Sequence, residues 1–144
     1  RTELEARAEM NYENYSKTIN IEAKTMVHMA AKLYIPAVIR YTTELADSIN
    51  AVRTAVPTAN FSVQVKLLTQ ISELLAEAEQ ALEQLKEARL KAYAIKNTKE
   101  QAEAYRELVV PAMEALRTPI DNLERTVDKR VWPVPTYGDL VFEV

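Results

Sequence analysis

Hydrophobic residues between positions 61 and 97 recur at alternating intervals of three and four residues. A second apolar line repeats every seven residues beside the first, from Leu67 to Ile95. This is the heptad pattern of an amphipathic helix, and its stripe is wider than the seam of a two-stranded coiled coil. The spacing therefore predicts one long helix in a bundle of three or four. The first series is Leu68, Ile71, Leu75, Ala78, Leu82, Leu85, Arg89 and Ala92.

The same spacing continues on both sides of this segment. It predicts a fold of the all-α class, an antiparallel bundle of three long, kinked helices at about residues 2–55, 61–96 and 98–130. The length of 144 residues suits one helical domain, 1–144. If the first helix breaks, the bundle has four helices.

Local signals predict where the helices begin. Residues 56–60 contain Pro57 and read as the turn into the second helix, with Asn60 as a candidate cap. Thr98-Lys99-Glu100-Gln101 has the form of a capping box, which predicts that the third helix begins at Thr98.

Other signals predict bends. Pro36 and Pro111 lie inside helical patterns and predict kinks, because proline lacks the backbone N–H of the helix ladder. Thr118-Pro119 resembles a second helix start, so we expect a break or kink near 119. The modest helix formers at 11–16 predict a hinge or an overhang.

The chain changes character after residue 130. Pro133 and Pro135 favour extended geometry and predict an extended C-terminal strap over 131–144, with a turn at Gly138. We expect Trp132 to anchor this strap on the protein's own helices, although a proline-motif ligand is an alternative. The alternation of Leu140, Phe142 and Val144 permits a short strand or an apolar tail.

Composition excludes several classes of function. The single glycine rules out glycine-dependent phosphate loops, and the absence of cysteine rules out thiolate chemistry. Eighteen basic against 21 acidic residues give a net charge of −3, so we expect no nucleic-acid partner. No uncharged stretch approaches the ~20 residues of a membrane span, and no signal peptide is recognisable. We therefore expect no membrane partner and a cytoplasmic location.

Candidate chemistry is sparse. His28 is the only histidine and lies on an apolar helix, where a structural role is favoured. No carboxylate lies three residues before it, so a di-iron site of Glu-x-x-His motifs is excluded. We predict no catalytic, cofactor-binding or metal-binding residue. Arg89, in a heptad core position, is interpreted as a residue with a buried stem or as half of an ion pair.

Aromatic residues provide the only interface hypothesis. The chain has seven tyrosines, which suit half-buried positions with one wet end or a contact surface for another domain. The candidate interface residues are Tyr12, Tyr15, Trp132, Tyr137 and Phe142.

Two segments resemble a known family. They are NYSKTINIEAKTM at 14–26, followed by Ile35-Pro36-Ala37 and Tyr41, and VDKRVWPVPTYGDLVF at 127–142. Together they resemble the C-terminal region of type III glutamine synthetases, which are large bacterial enzymes. The tail motif is the specific part, because the middle helix is similar to many coiled proteins.

The resemblance implies a parent enzyme that ligates ammonia to glutamate in a ring-shaped oligomer, with ATP and Mg as cofactors. It implies partners in the catalytic core of that chain and in neighbouring subunits, and the family's ligand motifs are not found here. We therefore expect a packing or assembly module, inactive alone and belonging to a longer chain, as the start at Arg1 also suggests. The alternative is an independent helical-bundle protein that docks a partner through its tail or tyrosine-rich face.

Overall fold

The computed structural model describes residues 2–134, and this part of the chain contains helices and no strand. Three helical rods follow one another, joined by short turns. The first rod is α1, a π-helical turn and α2; the second is α3; the third is α4, another π-helical turn and α5. In chain order, these elements are Glu3–Met29, Ala30–Tyr34, Ile35–Ala55, Ser62–Ala94, Thr98–Ala104, Tyr105–Val109 and Val110–Thr126.

The three rods share one hydrophobic core. α3 packs against both α2 and α5, while α1 packs mainly against α4. The heptad positions of α3 predicted from sequence supply much of this core, because Ile71, Ala78, Leu82, Leu85 and Ala92 are all buried. None of the described helices is both long enough and apolar enough to cross a membrane.

Two prolines produce the same local irregularity. Pro36 and Pro111 each occupy the second position of a helix that follows a π-helical turn. In these turns the N–H of Ile35 donates to Ala30 O, and the N–H of Val110 donates to Tyr105 O. Proline has no N–H, and its ring displaces the carbonyl four residues earlier, so one wider turn accommodates it. Each π-helical turn thus lies within one helical turn of a proline at which the sequence predicts a kink.

The break predicted near Pro119 is wrong, and the kink given as its alternative stays a prediction. α5 continues from Val110 to Thr126 without interruption, and Pro119 is buried inside it. The Thr118 hydroxyl, expected to cap a new helix, instead donates to Glu114 O at 3.3 Å. Burial of Leu116, Ile120 and Leu123 on the same helix outweighs the missing backbone hydrogen bond.

The caps differ in part from those predicted. Asn97, rather than Thr98, caps α4, and its Oδ1 accepts the N–H of Glu100 at 3.0 Å. Asn60 does contribute at the start of α3, since its Oδ1 accepts the N–H of Ser62 at 3.0 Å.

Both ends of the molecule lack buried residues. The first buried residue of α1 is Ser16, so residues 3–15, the N-terminal arm, overhang the core by about 20 Å. Of the two alternatives predicted at 11–16, a hinge or an overhang, the structure has the overhang, because α1 is continuous there. At the opposite end, no residue between Leu45 and Ile71 is buried, and we call residues 46–70 the hairpin tip.

Candidate docking surface

A groove between α1 and α4 contains two of the predicted interface residues. It has a volume of about 260 Å³. Tyr12 is half-buried, and Tyr15 keeps 37% of its surface exposed. Tyrosine and arginine are the residue types that most often dominate the energetics of protein interfaces. The groove is lined by Asn11, Tyr12 and Tyr15 from α1 and by Ala102, Glu103 and Arg106 from the third rod.

Gln101 fixes the wall of the groove that the third rod forms. The sequence pattern places this residue in a capping box. Gln101 does not complete a capping box. Its Nε2 donates to Ala92 O at 3.3 Å and to Tyr93 O at 3.2 Å. These carbonyls belong to the last turn of α3, where regular helical donors run out and Ala92 O otherwise accepts only the N–H of Ile95, at 3.2 Å. Gln101 thus ties α4 to the end of α3 and sets the position of Ala102 beside the groove.

A polar side chain is buried just behind the groove. Ser16 is only 5% exposed, and its Oγ has no hydrogen-bond partner among residues 2–134. It follows Tyr15 on the side of α1 that packs on α4, where Ala102 and Ala104 are also buried. A buried hydroxyl without a partner costs about 1–3 kcal/mol. Small residues on α1 and α4 allow the two helices to approach closely, and the unpaired hydroxyl of Ser16 is the cost of this approach.

We predict that Ser16→Ala stabilises the protein. The substitution removes the unpaired hydroxyl and should raise the free energy of unfolding by about 1 kcal/mol beyond the gain in helix propensity. Ser72→Ala is the matched control, because Ser72 is an exposed serine in the middle of α3. Urea denaturation of both variants measures the difference. Equal gains in the two variants, or a loss for Ser16→Ala, would contradict the prediction.

The N-terminal arm forms one wall of the groove with Asn11, Tyr12 and Tyr15 and continues beyond it, and the arm is apolar and acidic. Leu4 is 77% exposed and Met10 61% exposed. The arm carries four glutamates and one arginine, a net charge of −3. Its start is held by a reciprocal capping box: the Thr2 N–H donates to Glu5 Oε2 at 3.1 Å and the Glu5 N–H donates to Thr2 Oγ1 at 3.2 Å. The arm is therefore a capped helix segment in which no side chain is buried, and the third rod meets it only at the groove.

Trp132 lies in the core instead of on this surface. Its ring stacks on Tyr34 with centroids 4.9 Å apart and planes 12° from parallel, and it is 8% exposed. Burial raises the pKa of the Tyr34 phenol, and the nearby carboxylates of Glu124 and Asp121 raise it further. The other two predicted interface residues, Tyr137 and Phe142, lie outside the described residues.

Arg89 joins α3 to α1 near the groove. It is half-buried, and its Nη1 donates to Asn20 Oδ1 at 3.2 Å. Burial raises the pKa of the Tyr105 phenol, while the Arg89 charge opposes that shift. The head group thus pairs with a neutral amide, a partner that neither sequence interpretation included.

The remaining candidate chemistry does not converge. His28 is exposed on α1. Its apolar neighbours in the sequence favoured a structural role, but its side chain is not buried in the core. Within residues 2–134, no group of three or more His, Cys, Asp or Glu side chains is placed to hold a metal ion. The groove partners Ala102, Glu103 and Arg106 were not identified from sequence, where no local signal marks them. Ser16 could have been noticed as a serine on the apolar face of α1.

Residues 2–134 thus form a helical domain with one shared hydrophobic core and a tyrosine-lined groove. Residues 1–53 match the model of the glutamine synthetase C-terminal domain. The chain is 30% identical to a glutamine synthetase of Bacteroides fragilis, with 98% of this chain and 20% of that protein covered. It is 31% identical to a type-3 glutamine synthetase of Dictyostelium discoideum, with 97% of this chain and 20% of that protein covered.

A glutamine synthetase of Butyrivibrio fibrisolvens is 29% identical, with 99% of this chain and 20% of that protein covered. The chain thus matches the glutamine synthetase C-terminal domain over residues 1–53 and is similar over nearly its whole length to glutamine synthetases, including a type-3 enzyme. It spans about one fifth of the length of these relatives, at their C-terminal end.

Proposed function

We propose that this chain is the helical C-terminal module of a type III glutamine synthetase, and that it serves packing or assembly without an active site of its own. The parent enzyme ligates ammonia to glutamate at the expense of ATP, with Mg as its metal, in the cytoplasm. The proposal rests on similarity over nearly the whole chain to a type-3 glutamine synthetase. Its partners are the catalytic core of the parent chain and neighbouring subunits.

The N-terminal arm is the observation that supports a packing role. A capped helix segment of thirteen residues without a single buried side chain is marginal in water by itself. Its exposed Leu4 lies on the same helix as Tyr15 at the groove. We infer that the arm and groove form one continuous docking surface. Because the arm has a net charge of −3, the surface that it meets on the parent enzyme is basic.

The same proposal includes the finer architecture. The rods run antiparallel in a bundle, and Trp132 anchors the beginning of a C-terminal strap on Tyr34. Both features keep the module rigid, so its docking surface is presented without a large ordering cost.

The docking surface can be tested in a full-length type III synthetase that carries this module. Replacing Tyr12 and Tyr15 together with alanine should weaken the oligomer, because interface tyrosines cost about 2 kcal/mol or more when truncated at hot spots. Tyr93→Ala is the matched control, since Tyr93 is 64% exposed on α3, away from the groove lining. Sedimentation velocity and glutamine formation are the measurements.

Three outcomes would count against this proposal. Wild-type assembly and activity of the double variant would show that the groove is not a docking surface. Conversion of glutamate, ammonia and ATP to glutamine by the 144-residue chain alone would show that the module has an active site. Full activity of a synthetase lacking residues 1–144 would favour the independent interaction protein instead.

A further inference from the structure

A second concave surface, the α1–α5 pocket, lies between the end of α1 and the middle of α5. Its volume is about 200 Å³. Ala30 and Tyr34, the first and last residues of the π-helical turn, form part of its wall. Single π-helical turns occur frequently at functional sites. Since an apolar cavity of about 150 Å³ accepts a benzene molecule, this pocket has room for a somewhat larger small molecule.

Most of the wall of the α1–α5 pocket is apolar. Leu116 and Ile120 of α5 are buried, and Met26 and Met29 of α1 are half-buried. Methionine side chains are flexible and polarisable, so they adapt to aliphatic groups of different shapes. The wall therefore favours an aliphatic group as the part of a ligand that enters the pocket.

Two side chains of opposite charge complete the wall, one helical turn apart on α5. Arg117 is 48% exposed, and its Nη1 donates to Glu114 Oε1. A guanidinium has five N–H donors, so Arg117 can bind a second carboxylate. Asp121 is half-buried and forms no ion pair with any cation of residues 2–134. An arginine four residues before an acid is the less favourable order for a helical pair, so the two charges remain available to a ligand.

We propose that the α1–α5 pocket binds a free aliphatic α-amino acid such as leucine or methionine. The carboxylate and ammonium groups of an α-amino acid share one carbon atom, so one molecule can meet both charges of the wall. The planar fork of Arg117 matches the ligand carboxylate, and Asp121 accepts hydrogen bonds from the ammonium group. The aliphatic side chain then contacts Met26 and Met29. This inference does not depend on the proposed function.

Other ligand classes fit the pocket less well. A purely apolar compound would cover the half-buried Asp121 without giving it a partner, and an apolar carboxylic acid would be repelled by it. Glutamate would place a second carboxylate among the methionine side chains, where no donor lines the wall. The pocket therefore selects a zwitterion with an uncharged, aliphatic side chain.

An NMR titration of the isotope-labelled 144-residue chain with L-leucine tests the inference. We expect saturable shifts of the amide signals of Ala30, Tyr34 and Ile120, with a dissociation constant below about 5 mM. The amide of Ala102, beside the tyrosine-lined groove, is the internal control and should not shift. N-Acetyl-L-leucine and L-leucinamide each lack one of the two charges and should bind about fivefold more weakly or worse, as should L-glutamate.

Two variants test the charged side chains. Asp121→Asn should weaken the binding of L-leucine by about fivefold or more, and Arg117→Gln by about threefold, because Arg117 is more exposed to water. Arg125→Gln is the matched control, since Arg125 is an exposed arginine of α5 that does not line the pocket. It should leave the dissociation constant unchanged. Circular dichroism confirms that each variant keeps its helices.

The contrary results are equally definite. The absence of saturable shifts with L-leucine, or shifts of the same size at Ala102, would overturn the inference. Equal binding of L-leucine and its two singly charged analogues would also overturn it, because the pocket would then take apolar groups without recognising the zwitterion. Unchanged binding in both Asp121→Asn and Arg117→Gln would contradict the assigned contacts. The titrations with analogues use the unaltered chain, so they decide the matter even if a variant fails to fold.

Discussion

Replacing Trp132 with alanine should lower the free energy of unfolding by about 3–5 kcal/mol. The ring is 8% exposed and stacks on Tyr34 at 4.9 Å, so its removal leaves a cavity and exposes the face of a second aromatic ring. Chemical denaturation of the 144-residue chain measures the loss. Trp132→Phe is the control, because it keeps an aromatic ring in contact with Tyr34 and should lose less than half as much.

A loss below about 1 kcal/mol for Trp132→Ala would contradict this prediction, because surface substitutions have effects of that size. Such a result would mean that the contacts of Trp132 with Tyr34 contribute little to the stability of the 144-residue chain. The stability of the Trp132→Ala variant therefore shows whether the stack of Trp132 on Tyr34 anchors the chain internally.

The rods could be predicted from sequence because each one has a repeated apolar face. The predicted ranges 61–96 and 2–55 correspond closely to Ser62–Ala94 and to the first rod, which ends at Ala55. The third rod ends at Thr126, earlier than the predicted 130. Periodicity is a summed signal over many residues, so errors at single positions change its ends but not its existence.

The local signals were less reliable because tertiary contacts compete with them. At Pro119 the sequence favours a new helix start, but the buried face of α5 keeps the helix continuous. At 98–101 the sequence offers Thr98 as a cap, yet Asn97 is one residue earlier and equally suited. Gln101 is then free to bond to the end of α3, a contact that depends on the turn between the rods.

The candidate site shows the same division. Tyr12 and Tyr15 could be identified by residue type, since tyrosine suits half-wet positions. Their neighbours Glu103 and Arg106 come from a rod almost ninety residues away and have no local signature. Trp132 was expected both as an anchor and as an interface residue, and only the packing of Tyr34 shows that it lies in the core.

Tyr105→Ala should be as destabilising as the loss of Trp132. Tyr105 is 1% exposed, the largest of the fully buried side chains within residues 2–134, and lies in the π-helical turn that precedes Pro111. Removing a buried aromatic ring costs about 3–5 kcal/mol, and here it also loosens a turn that already lacks the regular helix ladder. The half-buried Arg89 would lose a neighbour that screens it from water.

Two controls separate these contributions. Tyr105→Phe keeps the ring and should change stability by about 1 kcal/mol or less, because only the hydroxyl is lost. Tyr93→Ala removes a ring that is 64% exposed and should change stability by about 0.5 kcal/mol or less. Thermal and urea denaturation of the three variants give the order of stability. The prediction would be contradicted if Tyr105→Ala were no more destabilising than Tyr93→Ala. That result would mean that the π-helical turn repacks around the cavity and that the burial of the Tyr105 ring contributes little to stability.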